Sequence, residues 1–515
     1  MSADRTAVWS LRRAPAEDTD ALAVPVFADR LAEAPLPGFL AACGFTGAPG
    51  EVLRLPGEAD GPARVVLGLG PSRAFSDPVT SAGPAASVAA SAAPAAPGRD
   101  EEAEDAVRRA AAGLAKAVRG FRRVGLPLPG PWLVSAAVEG FLLGGYRFTR
   151  YRSGPLRGGP GPERVDLLLP DPDAPAAHAA LARGRRLAEG TLLARDLVNE
   201  PGEGLTPELF AARAEAVAAG TGLLCEVWDG KRIEAERLGG LCAVSRGSLR
   251  PPRLVRLSHR PAGATGSLAL IGKGVTYDAG GLSLKPSAEM LTMKADMAGA
   301  AAVLGAMSVL SGLGCTTRVD AWLPLTENMP NADPVRVGDV LRMRDGRTVE
   351  VRNADAEGRL ILADALTLAA ETTPDAMVDI ATLTDAAPVA LGRKIAAVLG
   401  TDDALVEQVR RAAGRAGEPV WPLPLSDRYR WQLQSPIADL VNYTIGNRHG
   451  TALLAGLFLR EFVPAGIPWA HLDIQGTALC DADDGEWVPG ATGFGVRTLA
   501  ELVSAPAAST RTAAG

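Results

Sequence analysis

Short apolar runs alternate with amphipathic stretches along most of the chain. Ala23–Phe27 and Arg64–Leu69 read as buried strands, followed by a charged helix over roughly Glu101–Phe121, a second helix over Gly140–Tyr151 and a strand at Val165–Leu169. A long amphipathic helix runs from about Ala176 towards Leu197 and meets a stop signal in Asn199-Glu200-Pro201-Gly202. Beyond it, strands at Arg253–Leu257, Ser267–Ile271, Val319–Leu323 and Met377–Ala381 alternate with helical segments. Strands alternating with helices predict α/β architecture with largely parallel sheets. The chain is therefore expected to form two α/β domains, 1–175 and a larger 176–503. The change falls near residues 172–190, and Asp171-Pro172-Asp173-Ala174-Pro175 is a candidate hinge. Residues 71–100 are rich in Ala, Pro and Ser and read as an insertion or linker, and 504–515 as a disordered tail.

The bulk numbers agree with two domains, because 515 residues exceed what one hydrophobic core usually supports. Lys+Arg 53 against Asp+Glu 59 gives −6. That balance lacks the footprint of a dedicated nucleic-acid binder, although the basic residues between Arg108 and Arg123 leave room for a local patch. No nucleic-acid partner is expected. Five scattered cysteines without a CxxC point to a reducing compartment, and all but Cys480 read as small buried apolar residues. No signal pattern and no membrane-length apolar run is visible, so a cytoplasmic location with no membrane partner is expected.

The chemistry gathers in two stretches. The strand Ser267–Ile271 leads into Gly272-Lys273-Gly274 and then Asp278-Ala279-Gly280-Gly281, placing Lys273 and Asp278 on a strand edge and the loop after it, where α/β sheets collect functional groups. Lys285 follows, then Asp296 ahead of a helical Ala298–Leu310. The second stretch is Asn353-Ala354-Asp355-Ala356-Glu357-Gly358-Arg359. In an extended segment Asp355 and Glu357 would share a face, with Arg359 on the same side. Each residue alone has an ordinary explanation: a turn residue for Asp278, a helix cap for Asp296, a solvated charge for the others. Taken together, three Asp and one Glu supply hard oxygen ligands, and a lysine amine could complete a site for two divalent ions that share a hydroxide and polarise a carbonyl. A lysine ligand must be neutral, and an adjacent dication would lower its pKa. The four histidines show no ligand spacing, so Mg²⁺ and Mn²⁺ suit the oxygen-rich set, while Zn²⁺ also accepts it.

At this point the chain resembles the leucine aminopeptidase family. Asn353–Leu360 is similar to that family's NTDAEGRL signature, and Gly272–Gly281 with Lys285-Pro286 and Lys294-Ala295-Asp296-Met297 is similar to its metal-binding stretch. Arg195–Pro201, Ala381-Thr382-Leu383-Thr384 and Trp469-Ala470-His471-Leu472-Asp473 extend the likeness over about residues 185–500. The resemblance implies a smaller N-terminal α/β domain and a larger C-terminal catalytic domain with a central mixed sheet. It also implies removal of the N-terminal residue from peptides or aminoacyl amides with a free α-amine. Lys273, Asp278, Asp296, Asp355 and Glu357 would hold two divalent ions (Zn²⁺ or Mn²⁺, with Mg²⁺ a further candidate). Lys285 would stabilise the oxyanion and Arg359 would hold a bicarbonate base. Met293, Thr382, Leu383 and position 385 would line the substrate pocket, and the assembly would be a homohexamer. Ala279, Ala354 and Ala298 stand where Ser, Thr and Gly are usual, and none removes a ligand. Asp385 stands where Gly is usual, so it should disfavour leucine and favour a basic or polar first residue unless it points into solvent. Gly446–Thr451 also departs from the usual small-residue pattern. Two other readings compete: a specialised amidase acting on one biosynthetic intermediate, and an architectural DNA-binding protein.

Overall fold

The computed structural model describes residues 7–55, 61–75, 99–154, 159–264 and 266–504. Most of the Ala/Pro-rich stretch and residues 505–515 lie outside them. The chain forms two compact units, Met1–Ala188 with Asp481–Pro489, and Glu189–Cys480 with Gly490–Gly515. The dividing point falls inside the helix Pro175–Asn199.

The first unit carries a six-stranded sheet of β1 (Val8–Arg12), β2 (Ala21–Val26), β3 (Val52–Arg54), β4 (Ala63–Gly68), β5 (Arg123–Pro127) and β6 (Arg164–Leu168), in the order β1-β6-β5-β2-β4-β3. All its pairings are parallel except β3 with β4. β4 is buried over Val65–Gly68 and β6 over Val165–Leu168, the near-continuous apolar run of a strand covered on both faces. The helices Arg99–Ala117 and Val134–Gly144 supply Val107, Ala111, Leu114, Val138 and Phe141 to the core. Late in the sequence, Asp481–Pro489 returns to this unit, where Arg109 Nη2 meets Asp484 Oδ1 at 2.8 Å and Lys116 Nζ meets Asp483 Oδ1 at 2.9 Å.

The second unit is built on a mixed sheet of nine strands. Its strands are β7 (Leu224–Trp228), β8 (Arg253–His259), β9 (Ser267–Gly272), β10 (Gly274–Asp278) and β11 (Arg318–Asn328). After two short strands of a separate sheet, β12 (Val340–Arg342) and β13 (Thr348–Glu350), come β14 (Ala376–Ala381), β15 (Ala396–Gly400) and β16 (Val420–Pro422). β17 (Leu440–Val441) joins β13, and β18 (Trp469–Asp473) completes the large sheet. Its order is β16-β15-β18-β14-β9-β11-β8-β7, with β10 paired to β11. The pairings of β9 with β11 and β14, and of β14 with β18, are parallel, while β7–β8, β8–β11 and β15–β18 are antiparallel.

β11 is long because it serves two partners in succession: β9 against Arg318–Trp322, then β10 against Leu325–Asn328. Lys273 occupies the break between them. Its N–H donates to the Ile380 carbonyl and its own carbonyl accepts from Ala300 N–H. Asp278 therefore ends a strand of its own and does not sit in the loop expected after β9. The wholly buried helix Ala298–Met307 and the almost wholly buried helix Gly358–Ala370 pack on the sheet, leaving the carboxyl ends of β9, β10 and β14 to carry the side chains below. Among the described residues no helix is long and apolar enough to cross a membrane.

Candidate metal centre and substrate cavity

A cavity of about 350 Å³ opens at these strand ends. Its lining includes Lys273, Asp278, Lys285, Met293, Asp296, Asp355, Glu357, Arg359, Thr382, Leu383 and Asp385, together with Glu289, Thr292, Ala356, Gly358 and Gln475. Carboxylate oxygens of Asp278, Asp355 and Glu357 lie within 4.8 Å of one another. Asp296 joins them through Lys273, whose Nζ is 2.8 Å from Asp296 Oδ1 and 2.9 Å from Glu357 Oε1. Lys285 Nζ spans the other pair, 3.0 Å from Asp278 Oδ2 and 2.6 Å from Asp355 Oδ1.

Asp355 and Glu357 converge for a different reason from the extended segment expected. Residues 354–355 form a turn, and Glu357, at φ −77° and ψ −35°, already has helical backbone at the cap of the helix Gly358–Ala370. The turn is fastened by Asn353, whose Oδ1 accepts from Asp355 N–H at 2.8 Å, and by Ser283, whose Oγ accepts from Ala354 N–H. Two glycines make room. A Cβ at Gly358 would lie 2.5 Å from Lys273 Cε, and Gly280 has φ +87° directly after the Asp278 loop begins.

Two asparagines outside the charged stretches hold the loops that carry the carboxylates. Asn328 Nδ2 donates to Asp278 Oδ1 at 2.8 Å and to the Ala354 carbonyl at 3.0 Å, tying the first chemical stretch to the second. Asn442 is fully buried; its Nδ2 donates to the carbonyls of Asn353 and Ala356, its Oδ1 accepts from Arg352 N–H, and its carbonyl accepts from Arg359 Nη1 at 2.9 Å. Neither lies in a run of charged residues. The only sequence signal for Asn328 is its place at the end of an apolar strand.

The charges are crowded. With every group ionised, four carboxylates would face only two ammonium groups, an excess of two negative charges in a largely buried cluster, and Asp278, Asp296 and Asp355 answer it by holding their protons more tightly. Burial pushes Asp296 well above the ordinary carboxylate range, against the pull of Lys273. Burial, with Glu357 and Asp278 close by, raises Asp355 to about 7. Burial opposes the Lys273 charge, but Asp296, Glu357 and Asp278 outweigh it and hold the amine protonated in the absence of a competing cation. Burial also lowers the buried Arg359 to about 10. Asp296 Oδ2 and Arg359 Nε are buried with no hydrogen-bond partner among the described residues.

That orphaned carboxylate oxygen, the three converging carboxylates and the excess of acids over amines fit divalent cations, because clustered hard oxygen donors are what such ions require. Thr382 lines the cavity, but its hydroxyl and carbonyl are engaged by Asp296 and Lys273. Its Oγ1 donates to Asp296 Oδ1 at 2.7 Å and its carbonyl accepts from Lys273 Nζ at 2.8 Å. Asp385 is exposed at the rim and, among the described residues, has no ion-pair partner. Thr451, at the end of the unusual loop, borders a small neighbouring cavity with Arg359, Tyr443 and Thr444.

Known proteins give this geometry its context. The pattern described as cytosol aminopeptidase family, catalytic domain, matches residues 192–500, and the N-terminal domain of the same family matches residues 17–155. A probable cytosol aminopeptidase of Leifsonia xyli subsp. xyli is 45% identical over 449 residues, covering 85% of this chain and 84% of that protein. One from Streptomyces griseus subsp. griseus is 43% identical over 505 residues, covering 95% and 92%. Among solved structures, the bottromycin maturation enzyme BotP in complex with Mn superposes with a TM-score of 0.81 at 40% identity, covering 94% of this chain and 99% of that one. A mutant of tomato leucine aminopeptidase gives 0.82 at 27% identity over 98% and 97%. With both of its domains matched, this chain belongs to the cytosol aminopeptidase family and is a metal-dependent exopeptidase of the leucyl aminopeptidase type.

Proposed function

We propose that the cavity holds two divalent ions per subunit, Zn²⁺ or Mn²⁺ with Mg²⁺ as a further candidate. Lys273, Asp278, Asp296, Asp355 and Glu357 are the ligands, and Lys285 and Arg359 are the catalytic residues. The observation that carries this reading is the convergence of four carboxylates, three of them buried, on only two lysines. Bound divalent ions would supply Lewis acidity for the scissile carbonyl and a nucleophile at neutral pH. The chain's own groups do the rest. Lys285, at the cavity wall and 13% exposed, places a cation where negative charge develops on the carbonyl oxygen. Arg359, buried with an unpartnered Nε, is suited to hold a small anion such as bicarbonate as base. Met293 offers an apolar surface and Thr382, Leu383 and Asp385 one wall of the side-chain pocket. An ion with an open position would accept the lone pair of a free α-amine, and an acetylated nitrogen has no such lone pair to offer. A homohexamer and a cytoplasmic location complete the proposal; the relatives bear the name cytosol aminopeptidase, and light scattering on the purified protein tests the assembly.

Hydrolysis of free and N-acetylated aminoacyl-p-nitroanilides, with Mn²⁺ or Zn²⁺ and with chelator, tests the reaction. Cleavage of free-amine substrates only, lost with chelator, is expected. Chelator-resistant cleavage, or equal cleavage of acetylated substrates, sinks the metal-centre reading. The same panel examines Asp385. Asp385→Gly is expected to raise kcat/KM on leucyl relative to lysyl substrate by roughly tenfold, the scale of a single pocket contact. An unchanged ratio means that the carboxylate faces solvent and takes no part in selection.

One observation favours a second, narrower reading. The 40% identity to a bottromycin maturation enzyme fits an amidase devoted to one biosynthetic intermediate. Turnover confined to one or two members of a dipeptide panel would support it, and broad turnover would exclude it.

A further inference from the structure

We propose that Asp473 is a positioning residue that sets the side-chain pocket and, through the same loop, two of the groups that grip the metals; this rests on the reading of the cavity given above. Asp473 is 1% exposed and is not among the residues that line the cavity. It ends β18, directly beside Ala381 at the end of β14, so the two strands deliver their following loops to the same place. One carboxylate then fastens both loops. Asp473 Oδ1 accepts from Leu383 N–H and from Gln475 N–H, each at 3.2 Å, and Oδ2 accepts from Thr384 Oγ1 at 2.6 Å. Leu383 and Gln475 line the cavity, and Asp385 follows Thr384 directly.

The loop starts with Thr382, whose hydroxyl and carbonyl hold Asp296 and Lys273. A shift of this loop therefore moves pocket wall and ligands together. The strands beneath are locked in register by a second carboxylate. Asp379 accepts from Trp469 Nε1 at 2.7 Å and pairs with His471 Nδ1 at 2.6 Å, all three side chains being fully or almost fully buried. Bonds to an ionised carboxylate are among the stronger ones available. Three of them converging on one buried group make that group the anchor of the loop.

The test is kcat and KM for leucyl- and glycyl-p-nitroanilide, with metal content, in wild type, Asp473→Ala, Asp473→Asn and Thr384→Val. A displacement of about an ångström costs on the order of 10²-fold. Asp473→Ala is expected to lose about that much kcat/KM on the leucyl substrate, and its preference for leucyl over glycyl should fall by roughly tenfold or more. Asp473→Asn keeps an oxygen for the two N–H groups and is expected to restore most of the preference. Thr384→Val removes the bond to Asp473 and a longer one from Ala387 N–H at 3.4 Å, at nearly constant volume, and should lie between. A folded Asp473→Ala with unchanged preference overturns the proposal, as does an Asn variant as impaired as Ala. Where Asp473→Ala fails to fold, an unchanged preference in Thr384→Val overturns it instead. A wild type that cleaves no free-amine substrate overturns the cavity reading and this one with it, whereas turnover with an unmoved preference overturns this one alone.

Discussion

Glu357→Ala is expected to abolish turnover and to lower the metal content of the purified protein. Glu357 is 2% exposed, lies within 4.8 Å of Asp278 and Asp355, and shares Lys273 with Asp296, so it stands at the junction of the two halves of the cluster. Burial alone would raise its pKa, yet Lys273 and Lys285 hold it below the ordinary glutamate value, which keeps it an anionic donor. As a proposed ligand, its removal would cost the contribution of a bound ion, several kcal/mol of transition-state stabilisation. At about 1.4 kcal/mol per decade this is a loss of roughly 10³-fold or more in kcat/KM. Elemental analysis beside the assay separates the causes. Near-normal activity with full metal content would remove Glu357 from the ligand set, and inactivity with full metal content would make it a group acting on substrate.

Lys285→Ala is expected to lower kcat by about 10²-fold, the scale of one oxyanion donor, with metal content retained. The structure offers a competing role, because Lys285 Nζ bridges Asp278 and Asp355 and could serve only to hold those carboxylates apart. The two roles separate in the measurement. A cation acting on the transition state costs kcat and leaves KM and the ions in place. A spacer costs metal affinity first, so activity would return with excess Mn²⁺. A rise in KM alone would mean that Lys285 binds the substrate without favouring its reaction.

Period and composition made the α/β architecture legible, because covered strands leave apolar runs and helices leave amphipathic ones. β9, β11 and β14 lie where such runs occur. The edge strands β1 and β7 were missed, since half-exposed residues such as Trp9, Cys225 and Glu226 give no continuous apolar signal. Charged residues within apolar surroundings stand out, which points to Lys273, Asp278, Lys285, Asp296, Asp355, Glu357 and Arg359, while Met293, Thr382, Leu383 and Asp385 come from the family resemblance alone; all eleven line one cavity. The means of convergence was not legible. A turn entering a helix, and not an extended segment, brings Asp355 and Glu357 together, and no side-chain period distinguishes the two. Asn328 and Asn442 escaped notice because neutral amides do not announce themselves in sequence, although they fix the loops on which the carboxylates sit. Asp473 was read as part of a motif, but its work depends on which loop lies beside β18, and that is a property of strand order.

The return of Asp481–Pro489 to the first unit has a temporal consequence. A ribosome finishes the six-stranded sheet of that unit with β6, at Leu168, yet Arg109 and Lys116 receive their acidic partners more than three hundred residues later. Until then the nascent unit lacks part of its own surface. A fragment ending after the helix Pro175–Asn199 is an incomplete domain and not a small one. Autonomous expression of the first unit therefore calls for the nine-residue segment Asp481–Pro489 grafted behind residue 188, and limited proteolysis of the two fragments would measure how much those pairs secure.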